Sequence, residues 1–547
     1  MNSSALPPGE GDLELQLAAL ADEDLRAVVQ LSAALCAEPG VSVPPERTNH
    51  GALQRSVEIV RAFARDHGLH VIVREADADH PYPYVVVSFA EQVPGADAPS
   101  QVVALVGHLD VVGAQDASLW LPRLEGDELR ARGAADMKTM VATYLVWMAR
   151  WQKRPGPRPP VLLMLSCCEE NGSAHPHHTR STLQWLGEVQ GITIRLAVVG
   201  ERTGELEWMR PAPRVGPICK ENRAWRWLRI RGADCRGIEV VLQLARAMAQ
   251  LRRTVQSLND DDIRANRRAQ QPGLVSGLVN AFCLVEGDAE PAGVDEVLVE
   301  VRRPPGAALH SAAAVASGPV LIERFAALVL ELRVLSPAVP PRLVAVQIGE
   351  DGNFNTIDGS GHMLLRLGDT TWRQVQAHIE GRVGEDLQLR VVDTVPRHSV
   401  EGLCLGLDVR ELLDHRQAVD RALRDLQEAL PEGAALESVL ACPAWRCPPS
   451  HPDLQALERA YAQVIGETSP DLVKLHGNDG GQLAALQQQQ DAVARRDGTG
   501  HAVVFGQVGR GPHGPDERHL VSSIRPYLDI LDAWAEMLLA QGPGPGS

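Results

Sequence analysis

Leu53, Val57, Val60 and Ala64 recur at helical spacing and Gly68 follows as a stop, which predicts an amphipathic helix ending near residue 67. Beyond it the helical period gives way to short runs that are apolar throughout and rich in β-branched residues, at positions 85–87, 102–106, 161–165 and 196–199. Residues 502–505 repeat the type near the other end of the chain. Runs without alternation are what parallel strands need when helices cover both faces of their sheet. The pattern therefore predicts an α/β fold with a mostly parallel sheet and helices on both faces. Between about residues 222 and 450 the texture changes to strand and helix blocks separated by acidic, Pro-rich or Gly-rich breaks such as EGDAEPAGVD, GEDGN and PEGAA. This predicts an inserted α+β domain at 222–450, dividing the first domain into 1–221 and 451–547. The insert is long enough to hold two related βαβ-like blocks.

Length and composition narrow the class. At 547 residues, 44% apolar and 22% charged, the chain reads as an ordinary globular protein with cores large enough to need no disulfide staples. A net charge of −17 disfavours nucleic acid or an anionic membrane surface as the main partner. No apolar run approaches the roughly 18 residues of a membrane span, and the opening MNSSALPPGEGDLELQ lacks a signal-peptide pattern, so a cytoplasmic protein is expected. Nine irregularly spaced cysteines suit reduced thiols better than a disulfide framework.

Candidate chemistry gathers where the apolar runs end. In open parallel sheets, ligands bind outside the carboxyl ends of the strands, where the loops converge. Residues 102–106 lead into His108 and Asp110, residues 161–165 into Glu169 and Glu170, residues 196–199 into Glu201, and residues 502–505 into a Gly-rich loop holding His513. Asp136 stands just before an apolar helix beginning near Met140. Imidazole with carboxylate is the usual ligand set for zinc or a similar divalent cation. If one carboxylate of the Glu169–Glu170 pair binds metal, its neighbour is placed to act as general base. Asp110, two residues from His108, suits the carboxylate that fixes a ligating histidine's tautomer. Singly, such residues are more often turn or cap residues, so their joint placement carries the reading. Cys167 and Cys168 read as core residues rather than nucleophiles. The G-x-G-x-x-G formed by Gly509, Gly511 and Gly514 is crowded by Pro512 and Pro515 where a dinucleotide motif would open a helix.

The stretches VALVGHLDVV, residues 120–138 ending GAADMK, CCEENGS, VVGERTGE, HGNDGG and FGQVGRGPHGPDE resemble the zinc-dependent aminoacylase and carboxypeptidase family. That family includes acetylornithine deacetylase, succinyl-diaminopimelate desuccinylase and glutamate carboxypeptidases. The resemblance implies two zinc ions, with cobalt or manganese as alternatives, bridged by Asp136. His108 and Glu201 would hold one ion, and Glu170 and His513 the other. Glu169 would be base and proton shuttle, with Asp110 behind His108. A cis bond from Asp136 to Met137 is also implied. So is a smaller lid domain that supplies substrate contacts and a homodimer interface. Residues 296–392 match the lid best, with His310 helping to polarise the scissile carbonyl and Asn355 and Arg366 binding the substrate's backbone and carboxylate. Asp479, within HGNDGG, would be a further substrate contact. Residues 222–231 and the following Gly-Ala-Asp-Cys also resemble a lid's opening strand and turn, with Cys235 where histidine would stand, so two blocks compete for the role. Cys168 and Thr139 depart from the family pattern without removing a ligand. The activity implied is hydrolysis of the amide bond of a small N-acyl amino acid or peptide. The rivals are a non-catalytic scaffold acting through the enlarged lid and a cofactor-free cysteine hydrolase.

Overall fold

The computed structural model describes residues 10–43, 47–77, 81–90, 100–114, 116–171, 186, 192–205, 213–232, 243, 245–247, 249–251, 253–254, 279–284, 296–302, 321–335, 342–348, 360–367, 372–380, 388–392, 403–411, 413–430, 432–471, 473–474 and 501–541. The chain divides into two compact units, Met1–Asn222 with Trp445–Ser547, and Arg223–Ala444. In chain order the principal strands are β1 (Leu69–Arg74), β2 (Tyr84–Phe89), β3 (Ser100–His108), β4 (Val161–Ser166), β5 (Ile192–Val199), β6 (Ala224–Gly232) and β7 (Val279–Leu284). They continue with β8 (Glu296–Arg302), β9 (Arg342–Ile348), β10 (Ser360–Arg366), β11 (Gln388–Val392), β12 (Leu403–Glu411), β13 (Ala434–Cys442) and β14 (Ala502–Val504).

The first unit is built on a six-stranded sheet of order β1-β2-β4-β3-β5-β14. Its apolar runs have a direct cause: alternate residues enter two different cores. Val103 and Leu105 of β3 join one buried cluster with Leu163, Leu165, Leu196, Val198 and Val503, whereas Ala104 and Val106 join a second with Leu162, Met164, Ala197 and Val199. Both faces are thus covered over residues 103–106, 162–165 and 196–199, and no polar position is left within those runs. The pairs β4/β3, β3/β5 and β5/β14 are parallel. The run at 85–87, expected among the parallel strands, lies in β2 and pairs antiparallel with both β1 and β4. Burial on both faces demands the same apolar run in either direction, so composition did not distinguish them.

The expected amphipathic helix is His50–Asp66. Asn49 caps it by accepting from the Ala52 amide at 3.1 Å, and Leu53, Val57, Val60 and Ala64 are its buried face. Helix Thr139–Lys153 follows Asp136 and is buried nearly all round, from Thr139 to Ala149 and at Trp151. Such a helix is fixed by core packing on every side, and Asp532 adds polar anchors by accepting from the indoles of Trp147 and Trp151 at 3.0 and 2.8 Å.

The second unit holds an eight-stranded sheet of order β11-β8-β10-β9-β7-β12-β6-β13, antiparallel at every pairing. The two blocks that competed for the lid in the sequence thus share one sheet. Arg366 closes β10, where its backbone pairs with Glu296 and Arg342. His310, Asn355, Asp479 and Cys235 lie outside the described residues.

Candidate metal centre

Four strand ends of the first unit deliver the residues singled out above. His108 is the last residue of β3, Glu169 and Glu170 follow β4, Glu201 follows β5, and the loop after β14 leads to His513. At Glu201 the neighbouring chain passes so close that a Cβ on Gly506 would stand 2.2 Å from the Glu201 carbonyl oxygen, which only glycine avoids. His513 is the one non-glycine among the described residues with a left-handed backbone, φ 62°, and it turns the imidazole back toward the strand ends. Asp136 sits in a short turn before helix Thr139–Lys153 and is joined to Met137 by a cis peptide bond.

These side chains form a continuous row. Glu201 Oε1 lies 3.6 Å from His108 Nε2, which lies 3.1 Å from Asp136 Oδ1. The other oxygen, Asp136 Oδ2, lies 3.4 Å from His513 Nε2, itself 3.1 Å from Glu170. Asp136 therefore addresses the two histidines with opposite oxygens. Ligand atoms of His108, Asp136 and Glu170 lie within 4.8 Å of one another, as do those of His108, Glu169 and Glu201. Glu170 and Glu201 are each 4% exposed.

The donor set fits divalent cations. His108 Nδ1 is 3.0 Å from the Asp110 backbone carbonyl, an acceptor only, so this nitrogen carries the proton. In the neutral ring, Nε2 is then a lone pair facing two carboxylates, and acceptors meeting acceptors need a cation between them. Without metal, protons take that place. Burial disfavours charge on His108, yet hydrogen bonds to Asp110, Asp136 and Glu201 outweigh it and hold the ring well above the usual histidine range. Burial likewise opposes charge on His513, but Glu170 and Asp136 push it up to about 10. Asp136 is held well below the usual carboxylate range because hydrogen bonds from both histidines overcome its burial. Burial raises Glu170 against the pull of His513.

Asp110 does more than sequence reasoning assigned it. Its carboxylate stands 3.5 Å from His108 Nδ1, farther than its own backbone carbonyl. Its oxygens instead accept from the Glu169 amide at 3.0 Å, the Glu170 amide at 2.9 Å and Ser42 Oγ at 2.6 Å. One buried carboxylate thus shapes the turn that presents both glutamates.

Arg132 and Glu517, both buried, were not among the residues singled out from the sequence. Glu517 Oε1 accepts from the amides of Ala135 at 3.0 Å and Asp136 at 3.2 Å, while Oε2 pairs with Arg132 Nη1. Arg132 also donates to the carbonyls of Gly113 at 3.3 Å and Gly514 at 3.2 Å. The pair ties the Asp136 turn to the His513 loop. Their only sequence signal was membership of the stretch 120–138 and of the GPDE stretch, since nothing local links residues so far apart. Cys167 and Cys168 are buried, and burial drives the Cys167 thiol upward, away from nucleophilic use.

The fold and this row define a class: an α/β protein whose sheet carries a candidate two-cation centre at its carboxyl edge. A family model described as peptidase family M20/M25/M40 matches residues 104–537, and the chain belongs to that family. Succinyl-diaminopimelate desuccinylase of Thioalkalivibrio sulfidiphilus is 30% identical over 147 residues, 25% of this chain and 36% of that protein. The enzyme of the same name from Rhodospirillum centenum is 37% identical over 102 residues, 18% of this chain and 26% of that protein. The matches span only about a quarter to a third of these relatives' lengths. Human carnosine dipeptidase 1 shares the fold, with a TM-score of 0.53 and 12% identity over 94% of this chain and 96% of that one. No described helix is long and apolar enough to cross a membrane.

Proposed function

We propose that the chain hydrolyses the amide bond of a small N-acyl amino acid or peptide at a centre holding two divalent cations. The observation that carries this reading is Asp136 facing His108 with one oxygen and His513 with the other. Asp136 would bridge, His108 and Glu201 would hold one ion, and Glu170 and His513 the other. Bound zinc, cobalt or manganese would polarise the scissile carbonyl and ease ionisation of water. Glu169, whose carboxylate approaches His108 and Glu201, would take the proton from the attacking water and pass it to the departing amine nitrogen. Asp110 would keep Glu169 in place through its amide. His310, Asn355, Arg366 and Asp479 enter as substrate contacts on the family resemblance alone.

The names of the matching desuccinylases favour N-succinyl amino acids as the first compounds to try. The test is a mass-spectrometric screen of N-succinyl, N-acetyl, N-carbamoyl and peptidyl amino acids, with and without chelator. Product from one class that disappears with chelator supports the proposal, and no turnover of any class by metal-loaded protein rejects it.

The charge state of the metal-free site has its own consequence. His108 and His513 carry protons at neutral pH and must release them to ligate, so cation affinity should rise with pH, by up to tenfold per unit for each proton released. Titration calorimetry in buffers of different ionisation enthalpy should find one to two protons released near pH 7; none would contradict the assignment. The same raised values make protonated His513 a source of stability for metal-free protein. That contribution is complete below its unfolded value of about 6.5 and is lost as pH rises through about 10, so Tm without metal should fall across this window.

Asp110→Asn should lower cation affinity or kcat/KM by about 10- to 100-fold, the usual cost of disturbing groups that hold ligands in place. Asparagine must turn its NH2 toward one of the two amides that now donate to the carboxylate. Unchanged affinity and activity would show that the turn presenting Glu169 and Glu170 does not depend on Asp110.

A further inference from the structure

Lys138, two residues past Asp136, is fully buried, and its ammonium donates to two main-chain carbonyls, those of Leu35 and Glu38, at 2.8 Å each. Among the described residues it forms no ion pair, and the carboxylate of Glu38 goes to Arg55 at 2.7 Å. Burying a charge that no carboxylate neutralises is costly, and methionine would fill the same space without that cost. What the ammonium adds is a hold on the end of helix Glu23–Cys36, where the last turn leaves carbonyls without intrahelical partners and the helix dipole is negative. The near end of this link is the Asp136 turn itself. The Lys138 amide donates to the Gly133 carbonyl at 2.7 Å and closes that turn. Gly133 has φ 82°, and a Cβ there would stand 2.9 Å from Val111 Cγ1 and 3.0 Å from Lys138 Cδ, so the turn is pressed between the lysine stem and the residue after Asp110.

The far end leads to the other half of the centre. From Glu38 the chain passes through Gly40, whose carbonyl accepts from the Val111 amide at 3.0 Å, and Val41 and Val43 then pair in parallel with Val111 and Val112. Between them Ser42 donates to Asp110, the carboxylate that accepts from the amides of Glu169 and Glu170. Residues 35–43 thus hold the Asp136 turn at one end and Asp110 at the other, and they lie before residue 104, where the family match begins. Resting on the two-cation reading above, we infer that Lys138 is a positioning residue: by gripping the carbonyls of Leu35 and Glu38 it fixes the Asp136 turn relative to the Glu169–Glu170 turn, so that a cation finds the donors of both already placed. Lys138 acts through the main chain and holds no cation itself.

Lys138→Met keeps the bulk of the side chain and removes its donor. Calorimetric titration of the metal-free full chain with zinc, under conditions where circular dichroism shows the variant folded, should find affinity lowered about 10- to 100-fold, the usual cost of disturbing groups that hold ligands in place. Cobalt at saturation should give a visible absorption spectrum altered from that of the wild type, because the ligands have moved; a site merely less stable but correctly placed would keep both affinity and spectrum. Ser42→Ala, at the other end of the segment, should weaken binding in the same direction. The double variant should lose less than the product of the two losses, since both act through residues 35–43. If Lys138→Met does not fold, Lys138→Gln, which keeps an NH2 donor but no charge, takes its place in the same comparison. Wild-type affinity and spectrum in the folded Lys138 variant, or losses that simply multiply, overturn the inference and leave the two-cation reading standing. Wild-type protein that takes up no cation overturns that reading, and the role of Lys138 with it.

Discussion

Glutamine at position 169 is expected to lower kcat by about 10²- to 10⁴-fold, the range general acid–base catalysis contributes, while bound cation stays near the wild-type amount. The amide keeps the size of the side chain but cannot hold the proton that must leave water and reach the amine. Glu169 is close enough to His108 and Glu201 to serve there, yet it is not in the row that joins the two histidines through Asp136. Catalysis and cation binding should therefore separate. Steady-state kinetics on whichever substrate the screen yields, with elemental analysis of the same samples, decide the matter. Full activity would remove Glu169 as the base, whereas loss of cation together with activity would make it a ligand.

The second large effect concerns stability. Glu517→Ala should cost about 3–5 kcal/mol, because it strands the Arg132 guanidinium in a buried site and frees the amides of Ala135 and Asp136. Replacing both partners with apolar residues, Arg132→Met with Glu517→Leu, should cost less than the two single changes added together, since no buried charge is then left alone. Urea denaturation of the three variants measures the coupling. A single-variant cost below about 1 kcal/mol would show that the pair does not hold the Asp136 turn and His513 loop together.

How much of this was legible beforehand follows from the range of each interaction. The helix at His50–Asp66 and the strands leading to His108, Glu170 and Glu201 were readable because burial writes itself into local periodicity and composition. Candidate residues at the strand ends were readable because the carboxyl edge of such a sheet is where loops converge. The antiparallel direction of β2 left no local mark, because both of its faces are buried either way. Nor did the use of the Asp110 carboxylate on the amides of Glu169 and Glu170, which depends on a turn that two separate strands create.

The amino-acid sequence by itself determined which residue types stand at the ends of which strands, and so the kind of chemistry available. That information is local, set by side-chain polarity and spacing. Tertiary structure alone decided that Asp136 turns one oxygen to each histidine, that Arg132 meets Glu517, and that two blocks of the second unit join through β7 and β9. Those are pairings between residues far apart in the chain, chosen by which surfaces and charges can be buried together, and no local pattern records the choice.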